Sequence, residues 1–172
     1  SYTGSGDYAR EPWACVRDLT TGLVWEVKTP SGLHGKDNTY TWHQTDELLH
    51  KGDPGVVDGG RCVGSRCDTL GLVDAVNTEG LCGFTDWRVP DQKEIATLND
   101  PAARPPGPTV PGDYFPTLLA EQYWTRESHL YYPGAWAWNF HYGHNQVDWK
   151  TLPKRVVLVR GDAKMALARP ED

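Results

Sequence analysis

The chain has 172 residues and a net formal charge of −6, and this length is typical of one folded domain. Leu, Ile, Val and Phe make up only 33 of the residues, a share low enough to suggest disorder, but eight Trp and eight Tyr supply large rings that can build a core. No apolar run is long enough to cross a membrane, and the basic residues are too scattered to bind phosphates. The composition therefore predicts neither membrane insertion nor nucleic-acid binding.

The N-terminal part is predicted to hold two short strands and a long loop. Residues 13–17 and 23–27 have the apolar pattern of strands, and Gly22 in the turn between them is free to adopt a positive φ. Residues 29–66 are rich in Gly and Asp and should form a loop, with one short strand near residues 40–42. A loop this long in a compact domain is usually functional or cross-linked.

Two helices are predicted in the middle of the chain. The first begins at residue 68 or 69 and ends at Gly80. A strand is expected at residues 86–89, and the second helix then begins next to Asp91. Asp91 stands at capping-box spacing from Glu94, so the two side chains should satisfy the first backbone N–H groups of this helix.

The C-terminal third is predicted to be rich in β-strands. Residues 122–126 form one strand, and residues 135–141 and 145–149 form a hairpin. Residues 155–160 form a closing strand, whose continuous apolar run indicates a central position in a sheet.

Together these elements predict one α+β domain of short antiparallel strands, two helices and long loops. We expect this domain to span residues 13–161, between a flexible arm at residues 1–12 and a polar tail at residues 162–172. No signal peptide is recognisable, which leaves a cytosolic chain or an exported chain that has been processed.

The four cysteines favour an exported protein with two disulfides. Their even number in a loop-rich domain is typical of a disulfide framework, whereas a zinc site or a redox pair would need Cys-x2-Cys spacings that do not occur. Four cysteines allow three connectivities. We favour a local Cys62–Cys67 disulfide together with a long-range Cys15–Cys82 disulfide.

Trp136, Trp138 and Phe140 alternate with smaller residues, which places three rings on one face of a strand. A face of this kind is more often core than binding platform. We therefore expect ligands to bind the polar and aromatic side chains of the opposite face and the neighbouring loops, which suit adaptable contacts. These candidates are Ser128, His129, Tyr131, Tyr132, Asn139, His141, Tyr142, His144, Asn145 and Asp148.

The sequence gives little support for a metal site or for catalysis. His141 and His144, with Asp148 nearby, could hold a metal ion, but exposed polar turn residues are the simpler interpretation because a hairpin turn does not fix ligand geometry. Motifs for a nucleophile or a phosphate-binding loop are lacking. We expect no enzymatic activity and no required cofactor. Loops rich in Asp and Asn could still hold a structural calcium ion.

Several motifs, taken in order, resemble the C-terminal domain of the Legionella collagen-like adhesin family. Residues 21–26 (TGLVWE) resemble the opening strand of that domain, and residues 82–90 (CGFTDWRVP) with Glu94 resemble its central signature. Aromatic segments at residues 114–116, 123–125 and 135–140 and a strand at residues 157–161 follow in the family's order. The resemblance implies a C-type-lectin-like fold, export, surface or pilus association, and adhesion through glycan binding.

We therefore expect a non-enzymatic recognition or adhesion module of an extracellular, cell-surface or periplasmic bacterial protein, with a glycan or protein ligand. The acidic balance argues against sulfated glycans, and the calcium-site triplets Glu-Pro-Asn and Trp-Asn-Asp of sugar-binding C-type lectins are absent. One alternative is a structural or assembly domain in a homo-oligomer or surface filament. Another is a relative of formylglycine-generating enzymes, whose chemistry needs free cysteines.

Overall fold

The computed structural model describes residues 7–104, 106–130 and 133–163. Two three-stranded antiparallel sheets, β1–β2–β6 and β3–β4–β5, stand beside three short helices, which confirms the predicted α+β class. The strands are β1 Cys15–Arg17, β2 Val24–Glu26, β3 Gln122–Ser128, β4 Gly134–Asn139, β5 His144–Trp149 and β6 Val159–Arg160, and the helices are α1 Glu47–His50, α2 Thr69–Glu79 and α3 Gln92–Ala96.

The N-terminal hairpin follows the sequence prediction, but the long loop differs from it. Gly22 has a φ of 79° and closes the turn between β1 and β2. Between residues 29 and 66 the predicted strand at residues 40–42 was wrong, because these residues make isolated bridges to different segments and no continuous ladder. The loop also contains α1, one helical turn that the sequence analysis did not predict.

α2 begins and ends, and α3 begins, where the capping residues predict. The Asp68 side chain accepts a hydrogen bond from Gly71 N at 2.7 Å at the start of α2, and Gly80, with a φ of 74°, ends this helix. Asp91 and Glu94 form the predicted capping box of α3. The strand expected at residues 86–89 was wrong, because its backbone makes only a single bridge, between Arg88 and Val159.

β4 is the central strand of its sheet, and both of its faces are buried. Ala135 and Ala137 pack into one apolar cluster, while Trp138 and Phe140 pack into the other. The expectation that the rings lie in the core is thus confirmed for Trp138 and Phe140, whereas Trp136 is partly exposed. The face opposite the rings is not a polar surface, because the two alanines face a second core.

The prediction of one central strand at residues 155–160 was wrong, although the apolar residues of this segment are buried. Only Val159 and Arg160 belong to β6, which lies at the edge of its sheet. Lys154 bridges Tyr40, Arg155 bridges Tyr123, and Val159 bridges Arg88. Each part of the run pairs with a different segment, so its apolar residues are covered without a continuous ladder.

Both disulfides have the predicted partners, Cys15–Cys82 and Cys62–Cys67. All four cysteines lie in the described ranges and none is free, so the formylglycine-generating alternative lacks the thiols that its chemistry requires. None of the helices in the described ranges is long and apolar enough to cross a membrane.

Candidate functional site

A cavity of about 540 Å³ lies where α3 meets the β3–β4–β5 sheet, and we call it the α3 cavity. Its lining is polar apart from one alanine and one tryptophan. The lining residues are Asp91, Gln92, Lys93, Ala96, Arg126, Glu127, Trp138 and Asn145. A concave site with an aromatic side chain and several convergent polar groups is the usual form of a small-ligand site.

The start of α3 forms a rigid wall of this cavity. Asp91 Oδ1 accepts a hydrogen bond from Glu94 N at 2.7 Å, and Glu94 Oε1 accepts one from Asp91 N at 2.9 Å. Arg88 holds both oxygens of Glu94 at 2.6 Å. Burial alone would raise the pKa of the Glu94 carboxyl, but these hydrogen bonds hold it below its ordinary value. The wall therefore rests on a charged pair that stays ionised at neutral pH.

Gln92 joins α3 to two strands of the sheet. Its backbone N–H and its side-chain amide donate to the two oxygens of Glu127 on β3 at 2.7 and 2.8 Å. Its side-chain carbonyl accepts a hydrogen bond from Asn145 on β5 at 2.6 Å. Each partner fixes the orientation of the next, so the amides of Gln92 and Asn145 are already ordered before a ligand arrives.

Trp138 contributes the aromatic wall of the cavity. Its side chain is 8% exposed, and its buried indole N–H has no hydrogen-bond partner in the part of the chain that the structure describes. A buried donor without an acceptor costs about 1–3 kcal/mol. This N–H has almost no accessible surface, so Trp138 offers its ring to the cavity, and the donors for a ligand come from the polar groups around it.

The charges in the cavity also favour acceptors on the ligand. Both oxygens of Glu127 bind Gln92, and Asp91 Oδ1 caps α3. Arg126 lies 3.7 Å from Asp91 Oδ2 and is 44% exposed, and Lys93 makes no ion pair with any described residue. The acids are thus largely satisfied within the protein, whereas the two basic groups keep donors for a ligand.

The sequence-predicted site residues of the β4–β5 turn form a small aromatic group. Tyr142 is 66% exposed, its ring stacks on His144 with centroids 6.0 Å apart, and it contacts the ring of His141 edge-on at 4.4 Å. Asn139 is buried, and its side-chain oxygen accepts a hydrogen bond from His141 N at 2.8 Å. Asn139 therefore shapes the turn, and Asn145 alone among the predicted residues lines the α3 cavity.

Other predicted residues lie at the opposite end of this sheet. Ser128 and Asp148 both pair with Ala135, whereas His144 pairs with Asn139, four residues further along β4. The structure thus divides the predicted set into two groups and does not bring them together. His129 follows Ser128, its ring 5.9 Å from that of Trp136, and Tyr131 and Tyr132 lie outside the described residues.

The polar groups at this second end bind two buried lysines. Ser128 Oγ accepts a hydrogen bond from Lys150 Nζ, and Asp148 Oδ2 accepts one from Lys154 Nζ, each at 2.7 Å. No group of three His, Cys, Asp or Glu side chains in the described ranges could hold a metal ion. His141 and His144 are accordingly not joined by Asp148, which lies at the other end of the strand.

Sequence reasoning missed most of the cavity because its residues come from distant parts of the chain. Gln92 and Glu127 are 35 positions apart and meet only through the docking of α3 on β3. Trp138 was assigned to the core from its alternation, which identifies a face but not what covers that face. No local motif marks Arg126 or Glu127, so no sequence signal could have located this wall.

A comparison with known proteins gives one family. The family model described as Lcl C-terminal domain matches residues 14–160. No curated protein and no solved structure matches the chain. The family resemblance is confirmed, and the C-type-lectin-like topology that it implies stays a prediction.

Proposed function

Because the chain belongs to the Lcl C-terminal domain family, a family of surface-associated domains, we propose that it is a ligand-recognition module of an exported bacterial protein. The α3 cavity is the proposed binding site, and a glycan is the proposed ligand. The observation that carries this proposal is the ordered amide pair of Gln92 and Asn145, which lies beside Trp138 and two basic side chains in the wall of a polar cavity.

The chemistry of the cavity suits a sugar ring. Sugars combine an apolar face with many hydroxyl and carbonyl oxygens, so they can pack against an indole ring while their oxygens accept hydrogen bonds from polar side chains. Gln92 and Asn145 add amide groups whose orientation is already fixed. A preorganised set of this kind lowers the entropy cost of binding.

The basic groups suggest which sugars bind best. Lys93 and Arg126 keep donors for the ligand, although the chain as a whole is acidic. We therefore expect glycans with many hydroxyls or a carboxylate to bind more tightly than amino sugars. Asp91 and Glu127 already accept hydrogen bonds from α3, so this pair of carboxylates supports binding better than glycoside hydrolysis, which needs a titrating acid and a free base.

A glycan array followed by calorimetric titration of the bound glycans tests the proposal. Trp138→Phe replaces the indole by a smaller ring, so packing on the sugar should weaken and affinity should fall about threefold to tenfold. Trp136→Phe is the matched control, since Trp136 is two residues away and does not line the cavity. It should leave affinity unchanged.

Two results would contradict the proposal. One is that no glycan binds the folded protein. The other is that Trp138→Phe and Asn145→Ala bind normally while Tyr142→Ala abolishes binding, which would move the site to the turn. Repeating the titration in EDTA tests the calcium prediction, because a calcium-dependent site would lose its affinity.

A further inference from the structure

A second cavity, of about 270 Å³, lies next to the α3 cavity and shares Arg126 with it. We call it the α1 cavity, because Leu49 of α1 forms part of its wall. It is smaller than the sites that usually hold a whole ligand, which measure about 300–1,000 Å³. The α1 cavity therefore suits one substituent of a ligand whose main part occupies the α3 cavity.

Gln44, which is half-buried, gives the α1 cavity a hydrogen-bond donor. One atom of its side-chain amide accepts hydrogen bonds from the backbone N–H groups of Thr45 and Asp46 at 2.9 and 3.0 Å. Because both partners are donors, this atom is the amide oxygen. The amide nitrogen makes no hydrogen bond with any residue that the structure describes, so its two hydrogens stay available to a ligand.

His43 gives the same cavity an acceptor. Its Nδ1 lies 2.8 Å from the carbonyl oxygen of Pro54, and a carbonyl can only accept, so the hydrogen of the neutral ring is on Nδ1. Nε2 then carries a lone pair, and within the described ranges no group donates to it. His43 and Gln44 are consecutive in the chain, so the wall offers an acceptor and a donor side by side.

Apolar side chains complete the wall, and it carries no negative charge. Leu49, which is 40% exposed, and the partly buried Val73 both line the cavity. None of the lining residues in the described part of the chain is acidic, so an ammonium group would find no counter-charge there. Arg88 already binds both oxygens of Glu94. A neutral group with one donor, one acceptor and a small apolar end fits this wall best.

We propose that the α1 cavity binds the acetamido group of an N-acetylated sugar, in a glycan whose neighbouring sugar occupies the α3 cavity. The amide N–H donates to His43 Nε2, and the amide carbonyl accepts a hydrogen bond from the side-chain nitrogen of Gln44. The methyl group packs against Leu49 and Val73. This inference rests on the proposed glycan site and adds the class of glycan, one with at least two sugars and an N-acetyl group.

Calorimetric titration with two disaccharides tests the proposal. N,N′-diacetylchitobiose and cellobiose have the same rings and linkage, and they differ only in an acetamido group or a hydroxyl at C2. The first should bind at least about fivefold more tightly, the effect of one or two hydrogen bonds. Gln44→Glu keeps an acceptor for the N–H groups of Thr45 and Asp46 and removes the donor. It should abolish this preference and leave the affinity for cellobiose unchanged.

Two leucines of α1 supply a matched pair of variants. Leu49→Ser removes part of the apolar wall and should weaken the binding of diacetylchitobiose about threefold or more. Leu48→Ser is the control, since Leu48 is 79% exposed on the same helix and does not line the cavity. It should leave affinity unchanged. Asn145→Ala, in the α3 cavity, should weaken the binding of both disaccharides equally.

The outcomes separate this inference from the proposed glycan site. Equal affinities for the two disaccharides, with Asn145→Ala still weakening both, would overturn the acetamido site and leave the α3 cavity as a glycan site. A Gln44→Glu variant that keeps the preference, or a chain that binds other glycans but not diacetylchitobiose, would have the same consequence. Acetyl-glycine methylamide that binds as tightly as diacetylchitobiose would show that the cavity takes a peptide amide. Failure of every glycan to bind the folded protein would overturn both proposals.

Discussion

The buried carboxylate of Glu26 offers a direct test of what holds the end of β2 to the segments around it. It is fully buried, and it binds Lys28 Nζ at 3.1 Å and His34 Nδ1 at 2.6 Å. It also accepts a hydrogen bond from the backbone N–H of Leu158 at 3.1 Å. Lys28 is itself only 3% exposed. Lys28→Met keeps most of the side-chain volume and removes the ammonium group, so it isolates the electrostatic contribution.

The size of the effect follows from this geometry. Removal of one partner from a buried ion pair costs about 3–5 kcal/mol. We expect the lower limit, about 3 kcal/mol, because His34 and Leu158 still bind the carboxylate. In a chain of this size, 1 kcal/mol changes the melting temperature by about 2–4 °C, so the melting temperature should fall by roughly 6–12 °C.

Urea unfolding of the unreduced protein, followed by tryptophan fluorescence, measures the loss. The dependence of the unfolding free energy on urea should not change, which would show that the variant unfolds in the same way. Lys36→Met is the control, because Lys36 pairs with Asp37 on the surface at 3.1 Å. It should cost less than about 0.5 kcal/mol.

A double-mutant cycle completes this test. Lys28→Met combined with Glu26→Gln should show a coupling energy of at least about 1 kcal/mol, because the two groups are in contact. A loss of less than about 1 kcal/mol for Lys28→Met, or a coupling energy near zero, would refute the reasoning. It would mean that the buried carboxylate is held by His34 and the backbone alone.

Three further predictions concern charges and cross-links. Burial alone would lower the pKa of the His34 imidazole, but its hydrogen bonds to Glu26 and Glu79 raise it above its ordinary value of 6.5. The stabilisation by these hydrogen bonds is complete below pH 6.5 and is lost as the pH rises through the folded-state pKa of His34. The unfolding free energy should therefore fall as the pH is raised through this range, and His34→Gln should reduce that dependence on pH. Lys150 is 1% exposed and donates hydrogen bonds to three oxygens. Lys150→Met should therefore lower the unfolding free energy measured in urea by about 2 kcal/mol. An unchanged urea midpoint would contradict this prediction. Replacing both cysteines of the Cys15–Cys82 disulfide, which spans 67 residues, should lower the unfolding free energy by about 4 kcal/mol. Replacing those of the Cys62–Cys67 disulfide, which spans 5, should lower it by about 2 kcal/mol. Equal losses in thermal unfolding would contradict the dependence on loop length.

The features that the sequence predicted well are those with both partners close together in the chain. Asp91 and Glu94 satisfy each other across three residues, and Gly80 ends α2 because it alone can adopt the positive φ there without strain. The segments at residues 86–89 and 155–160 were predicted as strands, but only Val159 and Arg160 belong to one. Their partners come from several distant segments, and the residues themselves hold no information about those partners.

The candidate site shows the same limit. The alternation along β4 correctly placed Trp138 with the core, yet this side chain also forms a cavity wall. Whether a buried ring is covered by protein or faces a cavity depends on how α3 docks against the sheet. The alternation of residues along a strand shows only which face a side chain occupies, so it cannot predict this docking. Asn145 was predicted as a site residue from its position next to the turn. The structure places it in the cavity through its hydrogen bond to Gln92.

The unusual composition of the chain bears directly on the hydrogen bonds of its core. A core built from tryptophan brings a hydrogen-bond donor with each ring, which a core of leucine would not, and each buried donor needs an acceptor. Four buried tryptophans donate to backbone carbonyls: Trp13, Trp42, Trp87 and Trp124. The indole N–H groups of Trp25 and Trp138 have no partner among the described residues. Replacing Trp138 by Phe therefore breaks no hydrogen bond within the described residues. Trp124→Phe removes the bond from the indole N–H to the carbonyl of Tyr40, which then keeps only the backbone N–H of Lys154 as a donor, so it should lower the unfolding free energy in urea by more than Trp138→Phe does.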